Sequence, residues 1–187
     1  MAGITRINIT DAWVRNAERS VLNKLLTPAA NQLYTTKFNL ADNEVKVRDC
    51  KLGSHWANCD TQDGIDLWIT KANGAVYSVQ EKLLGVERFK TATFTTINHN
   101  GTESLWTTCK ADIWMTAYGR RTSEGNYDIQ DWIMIKLNEL REIDKRQMLR
   151  WQYSENKTNG EKAKFKFLEF CDVPLECVLY CSDYEKI

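Results

Sequence analysis

The chain has 187 residues, and its 25 Lys and Arg balance 25 Asp and Glu, so no bulk positive field holds nucleic acid by electrostatics alone. The length suits a single domain over 1–187 with a core that needs no staples. No apolar run approaches the roughly eighteen residues of a membrane span, and the opening MAGITRINITDAW lacks a signal-peptide core; the expectation is a cytoplasmic protein, in the host cytoplasm if viral, with no membrane partner.

Six cysteines, Cys50, Cys59, Cys109, Cys171, Cys177 and Cys181, form no C-x-x-C pair and are expected as thiols. Cys50, His55 and Cys59 offer three zinc ligands, but the spacing fits no common finger and no fourth ligand is evident.

In chain order, Thr10 caps a predicted helix from Asp11 to Leu26 that stops before Pro28, with Val14, Ala17, Val21 and Leu25 as its buried stripe. Glu18 lies at the edge of that stripe, where a carboxylate either reaches water or meets a partner inside. Gln32–Leu40 and Glu44–Cys50 alternate as strands joined by a turn at Ala41-Asp42-Asn43. A loop over 51–62 then delivers the chain to DGIDLWITKANGAVYSVQEKL, residues 63–83, where Asn73-Gly74 between two β-prone runs signals a hairpin.

Register decides what this hairpin presents. A two-residue turn scatters apolar groups over both faces. A three-residue loop Ala72-Asn73-Gly74, with Gly74 left-handed, shifts the pairing by one and changes every face. Ile65, Leu67, Ile69, Tyr77, Val79 and Leu83 then share an apolar side, and Asp66, Gln80 and Lys82 share the other. The second register buries most of the apolar set at once, each large side chain being worth about 1.5–3 kcal/mol. Asp66 and the Gln80 oxygen are hard ligands of the kind Mg²⁺ prefers, and Lys82 suits the orientation of a water or the neutralisation of a phosphorane.

Asp63-Gly64-Ile65-Asp66, a turn, and Gln80-Glu81-Lys82 resemble the PD-(D/E)xK nuclease superfamily, closest to its Mrr-type branch with a G-I-D strand followed by Q-x-K. The resemblance implies an α/β fold, a central mixed β-sheet flanked by helices with a restriction endonuclease-like core. It implies DNA as partner, a homodimer among the assemblies it admits, and Mg²⁺ with Mn²⁺ as substitute. The implied metal ligands are Asp66, Gln80, Glu18 from the first helix, and Glu81 through its backbone carbonyl; Lys82 completes the catalytic set. Asp60 and Asp63 are alternative main ligands. Glu81 faces the apolar side in this register, so either a helix cation pairs with it or the strand is bulged.

The family pattern places a helix after Lys82, but Phe89–Ile97 is threonine-rich and β-prone, and only Glu103–Lys110 suits a short helix. Asp112–Tyr118 reads as a strand beside the hairpin. Arg120 and Arg121 follow it in a polar loop and either grip phosphate or are simply solvated. Asp128 caps a predicted helix through Ile129, Ile133, Leu137 and Leu140, whose basic end carries Arg141, Lys145, Arg146 and Arg150. Met148–Tyr153, Lys162–Phe170 and Val178–Tyr180 complete the strands; in the second, Ala163, Phe165 and Phe167 face in, against Lys162, Lys164 and Lys166 outside. Those lysines either line a nucleic-acid groove or protect an edge strand.

Trp68, placed beside Asp66, stacks on an unpaired base or roofs the site as packing. With two histidines, no G-x-S-x-G elbow and no phosphate-cradling glycine loop, other hydrolase chemistries lack parts. Two functions follow: a Mg²⁺-dependent deoxyribonuclease, endonuclease rather than exonuclease, acting in phage or microbial DNA processing, or a nuclease-like fold that no longer cuts and binds nucleic acid or protein, for example as an inhibitor. Glutamine in place of the usual acid, zero net charge and the missing helix lean toward the second, but the grouping of Asp66, Gln80 and Lys82 makes the nuclease the reading taken and the second its alternative.

Overall fold

A computed structural model gives the fold and describes residues 9–40, 45–47, 63–71, 73–85, 90–97, 101–155 and 163–183, with side chains from residue 21 onward except at 45–47. Helix α1 (Ile9–Phe38) runs through Pro28. It absorbs both the helix expected over 11–26 and the strand expected over 32–40. Leu26, Ala30, Tyr34 and Phe38 recur every fourth residue, and all are buried. Burying the three large side chains, at about 1.5–3 kcal/mol each, offsets the roughly 3 kcal/mol that an internal proline costs. The stripe therefore sits one residue beyond the expected one, and Val21 and Leu25 are exposed at 56% and 44%.

The central sheet has the order β1-β2-β3-β5-β6-β9. Its strands are β1 (Val45–Val47), β2 (Leu67–Thr70), β3 (Val76–Gly85), β5 (Ile113–Arg121), β6 (Tyr127–Lys136) and β9 (Val178–Cys181). β3 and β5 are parallel and the other pairs antiparallel, so the sheet is mixed. The fold is thus α/β, with helices against a central mixed sheet. Leu67 pairs with Val79 and Ile69 with Tyr77, the register of the longer loop, and Gly74 takes the expected left-handed conformation at φ 82°.

One element of the expected apolar face does not hold. Asp66 N–H donates to Val79 O at 2.8 Å although Leu67 is already Val79's partner, so two successive residues address one. The extra residue turns Ile65 to the opposite side of the sheet from Leu67 and Ile69.

Two cores result. Leu67, Ile69, Val79, Leu83, Met115 and Met134 pack under α1. The other face carries Trp114, Tyr118, Ile133 and Ile135 beneath a second sheet of order β4-β8-β7, formed by β4 (Thr91–Ile97), β7 (Gln152–Glu155) and β8 (Lys164–Glu169). β4 and the short helix α2 (Leu105–Thr108) occupy the crossover from β3 to β5, where a helix is the usual solution. The helix expected from Asp128 is strand β6 as far as Lys136, and α3 (Leu137–Lys145) begins only there. Trp132 to Ile135 are consecutively buried because the sheet is covered on both faces, which hides the period of two.

Ala163 is buried and Lys164 exposed as expected, but residues 165 to 167 are turned over. Lys166 is buried at 5% exposure with Leu168, while Phe165 and Phe167 stand half-buried on the other face. The Lys166 ammonium lies 3.5 Å from the Trp106 ring centroid and 3.9 Å from that of Trp151, and it donates to Asp144 Oδ2 at 2.7 Å. Two ring faces and a carboxylate replace its water. Arg141, expected only to favour a helix end, donates to the carbonyls of Trp106 and Cys109 and ties α3 to the end of α2.

Candidate active site

Where β2 begins, the sequence supplies the groups of the motif and the ladder brings them together. Asp66 Oδ2 accepts from Gln80 Nε2 at 2.5 Å and from the Glu81 N–H at 2.5 Å. Gln80 Nε2 also donates to Glu81 O, at 3.0 Å. One amide nitrogen thus sits between a carboxylate oxygen and a carbonyl oxygen. Turned over, the Gln80 amide presents Oε1 at that point and makes it a meeting place of three hard oxygens, a donor set that suits Mg²⁺.

Gly64 makes room for this. Its φ of 60° is left-handed, and an added Cβ would lie 2.5 Å from Leu105 Cδ2 and 3.2 Å from Gln80 Oε1. The Cys109 Sγ donates to Gly64 O at 3.1 Å and closes the back of the turn. Burial pushes the Cys109 thiol pKa up, which keeps it a thiol.

Glu81 turns its carboxyl to the α1 side. Among the described residues no cation meets it, and Tyr34 OH donates to Glu81 Oε1 at 2.9 Å. Burial pushes the Glu81 carboxyl up to about 7, against the lowering effect of that hydrogen bond. The same burial, with the Glu81 charge behind it, raises the Tyr34 phenol well above its ordinary value. Glu81 therefore reaches the Asp66 group through its backbone alone, donating N–H to one oxygen and offering its carbonyl.

Lys82 follows Gln80 by two on β3 and stands on the same side of the sheet, beside buried Thr116 of β5. Its ammonium donates to Thr93 O of edge strand β4 at 3.3 Å and lies 5.7 Å from the Phe165 ring centroid. It lines a groove of about 460 Å³ where the central sheet meets the outer face of the second sheet.

The other sequence candidates disperse. Glu18 belongs to α1, but its side chain lies outside the described residues, as do Asp60, His99, Cys50, His55 and Cys59. Trp68 is half-buried and packs against the inner core on the Gln80 side. Asp63 pairs with Lys110 at 2.8 Å. Asp112 accepts from the Ser78 N–H and hydroxyl at 2.8 and 2.7 Å and so locks the start of β5 to β3. Arg120 and Arg121 are the exposed last residues of β5; Arg120 lies six positions beyond Trp114, the partner of Gln80, roughly 20 Å along the strand.

Tyr34, Gly64 and Phe165 are the neighbours that sequence reasoning missed. Gly64 lies between the two aspartates of the G-I-D stretch, Tyr34 in a segment whose alternation predicts a strand, and Phe165 on the face that the alternation of β8 predicts as buried. Among the described residues, a further acidic group, Glu169 with Cys171 and Asp172, clusters in the open at the end of β8.

No family model matches the chain, and no curated protein is similar to it in sequence. Among solved structures, the restriction endonuclease MspI in complex with its cognate DNA is similar over 88% of this chain and 93% of that chain, with 11% identity and a TM-score of 0.34. Among the described residues, no helix is long and apolar enough to cross a membrane.

Proposed function

We propose that this chain is a divalent-metal-dependent deoxyribonuclease of PD-(D/E)xK type. The observation that carries the reading is the convergence of Asp66 Oδ2, the Gln80 amide and the Glu81 carbonyl within hydrogen-bond distance. These three would hold Mg²⁺ or Mn²⁺. A bound cation would supply Lewis-acid stabilisation of a phosphoryl oxygen and a water of lowered pKa. Asp66 is fixed for that work by the Glu81 N–H, and Gln80 is oriented by the space that Gly64 leaves. Lys82, two residues beyond Gln80 on the same side of β3, would supply an ammonium to the charge that develops on the phosphorane, where preorganised positive charge is worth most. Glu18 is the candidate to complete the ligand set from α1, and the exposed Arg120-Arg121 pair is a candidate contact to a distant phosphate.

The test is cleavage of single-stranded, duplex and branched DNA with Mg²⁺ or Mn²⁺. Asp66→Asn and Lys82→Ala are each expected to lower the rate by about 10²-fold or more while the protein stays folded by circular dichroism. Full activity in folded Lys82→Ala protein would remove this assignment.

A second reading is favoured by one feature: Asp66 and Gln80 already satisfy each other, while the other carboxylates of the motif, Asp63 and Glu81, are turned to Lys110 and Tyr34. In that reading the fold binds nucleic acid or protein without cutting, for example as an inhibitor. Metal that neither supports cleavage nor raises the melting temperature, in protein that still binds DNA, would establish it.

A further inference from the structure

We propose that the groove beside Lys82 receives the bases of an unpaired DNA strand, so that the substrate is single-stranded or locally opened DNA rather than intact duplex. This rests on the nuclease-like reading for the identity of the ligand and adds the substrate's form.

The second sheet has unequal faces. Ala92, Phe94, Lys166 and Leu168 go into the core, while Phe165 and Phe167 of β8 lie half-buried on the outer face, flanked by Gln152 and Ser154 of β7. Both rings present part of their surface to the groove between the two sheets. Phe165 and Phe167 are two apart on one strand, so their side chains stand about 7 Å from each other, twice the 3.4 Å spacing of stacked bases. Every base has a π-face, so such a pair stacks on bases without regard to sequence.

Polar groups surround the rings in the order a strand needs. The Lys82 ammonium lies at one wall, 5.7 Å from the Phe165 centroid, suited to the backbone phosphate. Thr91, Thr93, Gln152 and Ser154 of the same groove supply hydroxyl and amide groups for base edges. Glu169, four residues beyond Phe165 on β8 and opposite Thr91, repels phosphate and leaves the Lys82 side as the path for the backbone. A groove of about 460 Å³ is on the scale of one small ligand. A duplex, whose grooves alone are about 6 and 12 Å wide, does not enter it.

Fluorescence anisotropy with a fluorescein-labelled oligothymidylate, in Ca²⁺ or EDTA so that cutting does not interfere, reads the groove apart from the chemistry. Wild-type protein is expected to bind the single strand at least tenfold more tightly than the same length of blunt duplex. Phe165→Ala and Phe167→Ala are each expected to weaken single-strand binding by roughly five- to hundredfold. Phe165→Leu, which keeps apolar bulk and loses the π-face, serves if an alanine variant fails to fold and is expected to weaken binding in the same direction. Photocrosslinking of wild-type protein to a 5-iododeoxyuridine oligonucleotide should place adducts on β7, β8 or Tyr118. Equal affinity for duplex, unchanged binding in folded variants, or adducts confined elsewhere would overturn the proposal. Binding that follows these expectations without cleavage in Mg²⁺ or Mn²⁺ leaves the groove standing and removes the nuclease reading.

Discussion

The Tyr34 hydroxyl of α1 donates to Glu81 Oε1 at 2.9 Å, so the helix holds the back of the strand whose front carries Gln80 and Lys82. That contact has a pH dependence with a definite sign. The unfolded carboxyl ionises near 4.5, whereas the folded one keeps its proton to about 7. The Glu81 contribution to stability is therefore fully present below pH 4.5 and is lost as pH rises from about 4.5 to 7. Compared with wild type in EDTA, Glu81→Gln should gain on the order of 2–3 kcal/mol in urea unfolding between pH 5 and pH 8. A constant difference across that range would contradict the buried carboxyl.

Gln80→Glu puts a second carboxylate where an amide now meets Asp66 at 2.5 Å. Without metal the two charges repel, and a loss of about 1–3 kcal/mol is expected. Mg²⁺ or Mn²⁺ should restore the melting temperature in the variant far more than in wild type, because the cation binds only the folded state. Thermal denaturation with and without each metal measures it, and a variant indifferent to metal would argue against a ligand role at residue 80.

Gly64→Ala places a methyl carbon 2.5 Å from Leu105 Cδ2 and 3.2 Å from Gln80 Oε1 at a φ of 60°. The left-handed backbone and the contact together should cost about 1–3 kcal/mol. Any nuclease activity should fall by more than the unfolded fraction accounts for, since the displaced amide is a proposed ligand. Unfolding curves and rates on the same preparation separate the two effects.

Lys166 is a buried ammonium whose pKa is lowered by burial although Asp144 opposes that shift. Lys166→Ala leaves the Asp144 carboxylate without its cation and a void between Trp106 and Trp151, and should cost about 3–5 kcal/mol. Lys166→Met, which fills the same space and packs sulfur against the rings, should recover part of that loss. Equal denaturation midpoints for the two variants would show that the charge and not the packing sets the cost.

What the chain states locally is the hairpin. Asn73-Gly74 and the alternation from Leu67 to Leu83 suffice to fix its register, because a one-residue slip would bring apolar residues out on both faces. The same local reasoning placed Asp66, Gln80 and Lys82 on one side and foresaw that β-structure would stand where the family pattern has a helix. Tertiary packing decided the rest. Gln32–Phe38 is helical because Tyr34 and Phe38 find the sheet only at a spacing of four, and tyrosine, threonine and phenylalanine conceal that behind their preference for strands. Tyr127–Lys136 is a strand because both faces of the sheet are covered, so burial runs continuously and its period disappears. Lys166 points inward because two tryptophans and an aspartate, all distant in sequence, replace its hydration together. Side chains that take their environment from other segments carry no periodic mark of it, which is why the inner lysine, the Tyr34 contact and the aromatic groove emerge only in three dimensions.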